Sequence, residues 1–113
     1  MLQKFIAAFN GILYCLRTQI NMLIHLVATL AVIGLAWHLE VRSWEWAILI
    51  LTITVVLAAE ALNTAIEVTI DMSTKQYHPL ARIAKDVAAG AVLIAALGAV
   101  AVGYFIFGPY LGF

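Results

Sequence analysis

Residues 44–71 read WEWAILILTITVVLAAEALNTAIEVTID. From Ala47 to Ala59 the stretch carries no charge, and with its flanks it exceeds the roughly 20 apolar residues needed to cross a bilayer. At about 100° per residue, Glu60, Asn63, Thr64, Glu67 and Asp71 fall on one narrow stripe of a helix. Carboxylates on such a helix are costly in hydrocarbon, so the stripe must face protein, water or a ligand. With Trp46 at the far interface, a hydrocarbon thickness of about 30 Å ends near Ile66. Glu60 then lies inside the membrane, roughly two turns below the near surface. Glu67 lies at that surface and Asp71 just outside it. A proton pathway places an acid near the midplane, whereas this row climbs out to water.

Composition agrees with a membrane class. Only 11% of the 113 residues are charged and 65% are hydrophobic, where a soluble domain is about 25% charged. The length fits one domain with three spans joined by short links. Zero formal net charge argues against a nucleic-acid partner. The lone Cys15 excludes an intrachain disulfide. The first residues are not expected to be a signal peptide, because Gln3, Lys4, Asn10 and Arg17 interrupt the apolar residues and no small-x-small site follows.

Outward from the central stretch, residues 1–17 predict an amphipathic surface helix, with Leu2, Phe5, Ile6, Phe9, Ile12, Leu13 and Leu16 at helical spacing. Residues 17–21 form a polar break. Spans are expected over 22–39, 44–71 and 84–107, giving an all-α integral membrane fold. Between the first two spans Ser43 is the expected N-cap, with Glu45 in the first turn favoured by the helix dipole. Trp37, Trp44 and Trp46 mark an interfacial belt at that end. The polar loop 72–80 ends at Pro79, a breaker or first-turn residue of the next helix. Ala91, Ala95, Ala99 and Gly103 then form a small-residue stripe that admits another helix closely. Lys4, Arg17, Lys75, Arg82 and Lys85 lie on one side and only Arg42 on the other. That bias predicts a cytoplasmic N-terminus and second loop.

The acidic stripe therefore opens toward cytosolic nucleotides at the level of lipid head groups. A Mg²⁺ ion engaged in phosphate chemistry takes one or two carboxylates, with phosphate oxygens and waters completing its shell. Glu67 suits that role. A general base must reach the attacking hydroxyl, and Glu60, set deeper, suits a lipid alcohol. Lys85 offers a phosphate-binding cation, with Asp86 beside it. No G-x-x-x-x-G-K-[ST] or G-x-G-x-x-G loop is present, so a nucleotide would be held by side chains and metal. His25 and His78 read as structural rather than metal ligands, because no His/Cys cluster accompanies them.

Residues 60–94, EALNTAIEVTIDMSTKQYHPLARIAKDVAAGAVLI, resemble the prokaryotic diacylglycerol kinase family, which includes undecaprenol kinases. The E-x-x-N-[ST]-A-I-E block, followed by Y-H and then A-K-D, carries the resemblance, which extends over the whole chain in length and layout. It implies a homotrimer in a bacterial plasma membrane, with active sites shared between subunits, and transfer of the γ-phosphate of MgATP to a lipid alcohol. It implies Glu60 as catalytic base and Glu67 as principal metal ligand. Asn63 and Asn21 become supporting residues, and Gln76, Tyr77, His78, Lys85, Asp86 and Asp71 the nucleotide-contacting set. The family often has a second metal-binding Glu before the first span. Here that position is Gln19, whose amide oxygen can ligate Mg²⁺ but carries no charge. Some relatives also have a basic residue where this chain has Leu23. Two other classes compete with a lipid kinase. A small proton-coupled or multidrug transporter calls for a fourth span and an isolated midplane acid. A non-catalytic membrane subunit leaves the acidic stripe and Lys85-Asp86 without a role.

Overall fold

The computed structural model describes all 113 residues as four helices: α1 (Leu2–Thr18), α2 (Ile20–His38), α3 (Ser43–Ser73) and α4 (Pro79–Leu111). The last three are each long and apolar enough to cross a membrane. α3 contains neither Gly nor Pro, so nothing in its backbone favours a kink.

The helix boundaries follow local chemistry. The break between α1 and α2 narrows from the expected five residues to Gln19 alone, whose backbone is extended at φ −113° and ψ 109°. Ile20 and Asn21 are already helical, in the first turn of α2, where a polar side chain such as asparagine is readily accommodated. α2 closes in a Schellman arrangement: Glu40 N–H donates to Trp37 O (3.2 Å) and Val41 N–H to Ala36 O (3.3 Å). That closure needs a left-handed residue, and Glu40 supplies it at φ 53° without being glycine. Ser43 is not the N-cap of α3; Arg42 is. Glu45, in the first turn, accepts from the Arg42 backbone N–H at 2.9 Å, so a carboxylate reaching back to the cap residue satisfies one of the free donors at this helix start. α4 starts earlier than the span 84–107, at Pro79. His78 Nδ1 accepts from Leu80 N–H (3.1 Å), and a proline in the first turn forfeits no helical bond.

α3 and α4 pack along one another most extensively. The covered face of α4 runs through Ala88, Val92, Ala95, Ala99, Val102 and Ile106. It takes in part of the expected small-residue stripe but leaves Ala91 exposed. The core sits at the end away from the 72–80 loop, where Ala36, Val41, Leu49, Ile106 and Phe107 cluster. There the Tyr110 hydroxyl donates to Glu45 and ties the end of α4 to the start of α3. Trp37 and Trp44 are exposed, whereas Trp46 packs against the core, so the belt holds two of the three tryptophans. Only 14 of 113 residues are buried, too few to cover the apolar faces of three long helices. Those faces require lipid or neighbouring protein. α1 meets α2 and α3 over a short length and leaves Leu2, Phe5, Ile6, Phe9 and Ile12 exposed.

Candidate functional site

The acidic stripe of α3 is graded in depth. Glu60 is 1% exposed, and Asn63 and Thr64 are also buried. Glu67 is half-buried and Asp71 exposed. Regular α-helix geometry from residue 60 to 71 puts these groups on one face, and the packing of neighbouring helices covers its deep end only.

The deep end is under-satisfied. Neither carboxylate oxygen of Glu60 has a hydrogen-bond partner, and Asn63 Oδ1 has none. Thr64 donates its hydroxyl to the Glu60 backbone carbonyl (3.0 Å), so it does nothing for the carboxylate. The nearest charge-bearing group is His25 of α2, with Nε2 at 3.7 Å from Glu60 Oε2. Buried polar groups are nearly always paired, so three unpaired oxygens on one stripe mark a place built for something other than packing. One turn further out, Asn63 Nδ2 donates to Glu67 Oε1 (3.3 Å), which orients that carboxylate without neutralising it.

The shallow end meets the loop between α3 and α4. A polar cavity of about 220 Å³ is lined there by Asp71, Gln76, Tyr77, His78 and Lys85, with Thr74, Lys75 and Arg82 beside them. Five of the six residues expected around a nucleotide thus gather in one place. Asp86 is not in that lining; it pairs instead with Arg82 (3.2 Å) one turn back on α4. Lys85 reaches across to Asp71, so α3 and α4 are joined by an ion pair at the cavity wall. Sequence reasoning passed over Lys75 and Arg82, whose side chains add positive charge to the cavity. The signal was present, because both lie within the same loop and first turn as the residues it named.

The N-terminal residues are less assembled. Gln19 sits half-buried at the α1–α2 break and its amide donates to the Thr18 hydroxyl at 3.5 Å, not to Glu67. Asn21 is exposed on α2. No three His, Cys, Asp or Glu side chains of the chain converge in a way that would hold a metal. A Mg²⁺ ion that arrives with a nucleotide does not need such a cluster, because phosphate oxygens supply most of its shell. Glu67 and the unpaired oxygens of Glu60 and Asn63 are hard oxygen donors of the right type. Glu60 and Glu67 lie about 10 Å apart along the helix axis, so the two acids stand at different depths of the stripe.

Residues 6–107 match a family model described as prokaryotic diacylglycerol kinase. Among similar proteins, the undecaprenol kinase of Bacillus subtilis is 41% identical over 109 residues, covering 96% of this chain and 89% of that protein. The diacylglycerol kinase of Synechocystis is 46% identical over 104 residues, covering 91% of this chain and 59% of that protein. The diacylglycerol kinase of Escherichia coli is 39% identical over 74 residues, 66% of this chain and 61% of that protein. The chain therefore spans most of the first relative and about three-fifths of the other two. These similarities give no support to a transporter.

Proposed function

Because the chain belongs to the prokaryotic diacylglycerol kinase family and is a multi-pass membrane lipid kinase, we propose that it uses the graded stripe of α3 to bring a cytosolic nucleotide to a lipid alcohol. The observation that carries this reading is the burial gradient: Glu60 is 1% exposed and unpartnered, while Asp71 stands at a polar cavity. The deep acid meets a hydroxyl anchored in hydrocarbon, and the shallow end meets ATP.

In this reading Glu60 accepts the proton of the alcohol as its oxygen attacks the γ-phosphorus. Such a base contributes about 10²–10⁴-fold. Gln76, Tyr77, His78, Lys85 and Asp71 hold the nucleotide, with Asp86 at the margin. Glu67, oriented by Asn63, holds Mg²⁺ together with ATP phosphate oxygens, and Gln19 gives weaker, uncharged help. When bound, the ion neutralises phosphate charge that the protein alone would have to meet. Asn21 supports the N-terminal side of the site.

The sparse burial of a single chain supports the homotrimer with shared sites, since three thin helices do not enclose a nucleotide by themselves. α1, with its exposed apolar row, serves as the amphipathic helix at the membrane surface. The five-to-one distribution of basic residues supports a cytoplasmic N-terminus in a bacterial inner membrane. Diacylglycerol and undecaprenol, the alcohols named for the relatives, are the acceptors to compare. Both present one hydroxyl on long apolar tails. The test is transfer of label from γ-labelled ATP into the organic phase in detergent, with each alcohol in turn. Labelling that falls by about 10²–10⁴-fold in Glu60→Gln, and that falls in Glu67→Gln at the same Mg²⁺ concentration, supports the reading. Folded protein that labels no lipid alcohol overturns it.

A further inference from the structure

We propose that His25 is a positioning residue for the Glu60 carboxylate, holding it toward the acceptor hydroxyl from the neighbouring helix. The inference rests on Glu60 being the base. Both carboxylate oxygens lack a hydrogen-bond partner, so the carboxylate has nothing on its own helix to fix its rotation. Thr64 spends its hydroxyl on the Glu60 backbone carbonyl and Asn63 spends its amide on Glu67. α4 offers nothing, because from Val87 to Gly103 it carries no polar side chain.

That leaves α2. His25 Nε2 stands 3.7 Å from Glu60 Oε2, and the imidazole also lines an apolar cavity of about 440 Å³ between α2, α3 and α4, with Ala28, Val32, Val56 and Ala99 among its walls. One side chain thus touches both the base and an apolar space suited to a lipid tail. A lone ionisable residue in an apolar span is costly unless it has a partner, and Glu60 is the partner. The contact is longer than a hydrogen bond, as catalytic contacts often are before substrate binds. The atoms balance without a new reactant. The hydroxyl proton passes to Glu60, the alcohol oxygen bonds to the γ-phosphorus, and the bond to the β-phosphate oxygen breaks with its electron pair leaving on ADP. His25 takes no part in these bond changes; it faces the Glu60 carboxylate throughout and is not consumed.

The experiment measures kcat and KM for ATP and lipid alcohol in His25→Leu and His25→Gln, each alone and combined with Glu60→Gln. A misplacement of about 1 Å at a reacting group costs about 10²-fold. We therefore expect His25→Leu to lose about 10- to 100-fold in kcat with both KM values within about twofold. His25→Gln, which keeps an N–H donor at similar reach, should recover most of that loss. In the Glu60→Gln background His25→Leu should cost nothing further, because the two residues act as a unit. An unchanged kcat in His25→Leu, a rise in KM alone, or an equal loss in the Glu60→Gln background would make His25 a wall of the cavity and overturn the proposal. If His25→Leu fails to fold, His25→Asn replaces it. Its shorter amide should lose turnover where His25→Gln keeps it, and equal turnover in the two overturns the proposal. Wild-type turnover in Glu60→Gln would instead remove the base itself, a pattern distinct from silence at His25 alone.

Discussion

Replacing His25 and Glu60 together by Leu should abolish phosphate transfer and at the same time make the protein more stable, with most of the gain coming from the Glu60 carboxylate. The side chain is 1% exposed, both of its oxygens are unpartnered, and its only ionisable neighbour stands at 3.7 Å. Leaving a buried polar group unsatisfied costs about 1–3 kcal/mol, and more if it is charged. Exchanging buried ionic groups for apolar residues of similar volume is neutral to stabilising by about 1–4 kcal/mol. Leu fills nearly the same space at position 60, and replacing His25 as well leaves no unpartnered ionisable group behind in α2. The expected net gain is about 1–3 kcal/mol. For a chain of this size that amounts to about 4 °C in the unfolding midpoint per kcal/mol. Heat or SDS unfolding of the purified protein in detergent, followed by circular dichroism, measures it beside the label-transfer assay. A His25→Leu/Glu60→Leu protein less stable than the wild type would refute the reasoning, because the pair would then be held by partners it was said to lack.

Other outcomes follow from neighbouring features. Glu67→Gln should move the Mg²⁺ dependence of transfer to higher concentration, and Gln19→Glu should move it lower by restoring a charge; a titration of Mg²⁺ that is unchanged in Gln19→Glu and Gln19→Ala removes Gln19 from the metal shell. Lys85→Ala opens the cavity wall and should raise KM for ATP more than it lowers kcat, which initial rates across an ATP series will show. Leu49→Ala, in the core cluster far from the loop, should cost about 2–5 kcal/mol while leaving KM for ATP unchanged. Glu40→Gly relieves a left-handed non-glycine residue (φ 53°) and should stabilise by about 1 kcal/mol, readable as a higher unfolding midpoint.

The order of burial along α3 was legible because helical spacing is fixed and an apolar run of known length sets depth. The gathering of Asp71, Gln76, Tyr77, His78 and Lys85 was legible only through resemblance, since residues 71 and 85 meet by a reversal of the chain that spacing alone does not specify. Local capping was misread at Ser43: a hydroxyl is the commoner cap, and the competing carboxylate of Glu45 lies three residues beyond Arg42. The sequence reads His25 as structural because it offers no His/Cys cluster nearby, and spacing gives no hint of its 3.7 Å approach to Glu60. Its partner is 35 positions away in the chain, and only the packing of α2 on α3 brings the two together.

A rod of 31 residues without glycine or proline behaves as a fixed gauge. The spacing between Glu60 and Glu67, which under the proposed roles meet the alcohol and the nucleotide's metal, is set when α3 forms and does not adapt to cargo. Alignment of the two reactants therefore falls to the reactants themselves. The lipid must rise, or the triphosphate must dip, until both fit between the same two marks. An alcohol whose hydroxyl rides at the wrong height in the bilayer would be bound and left unphosphorylated.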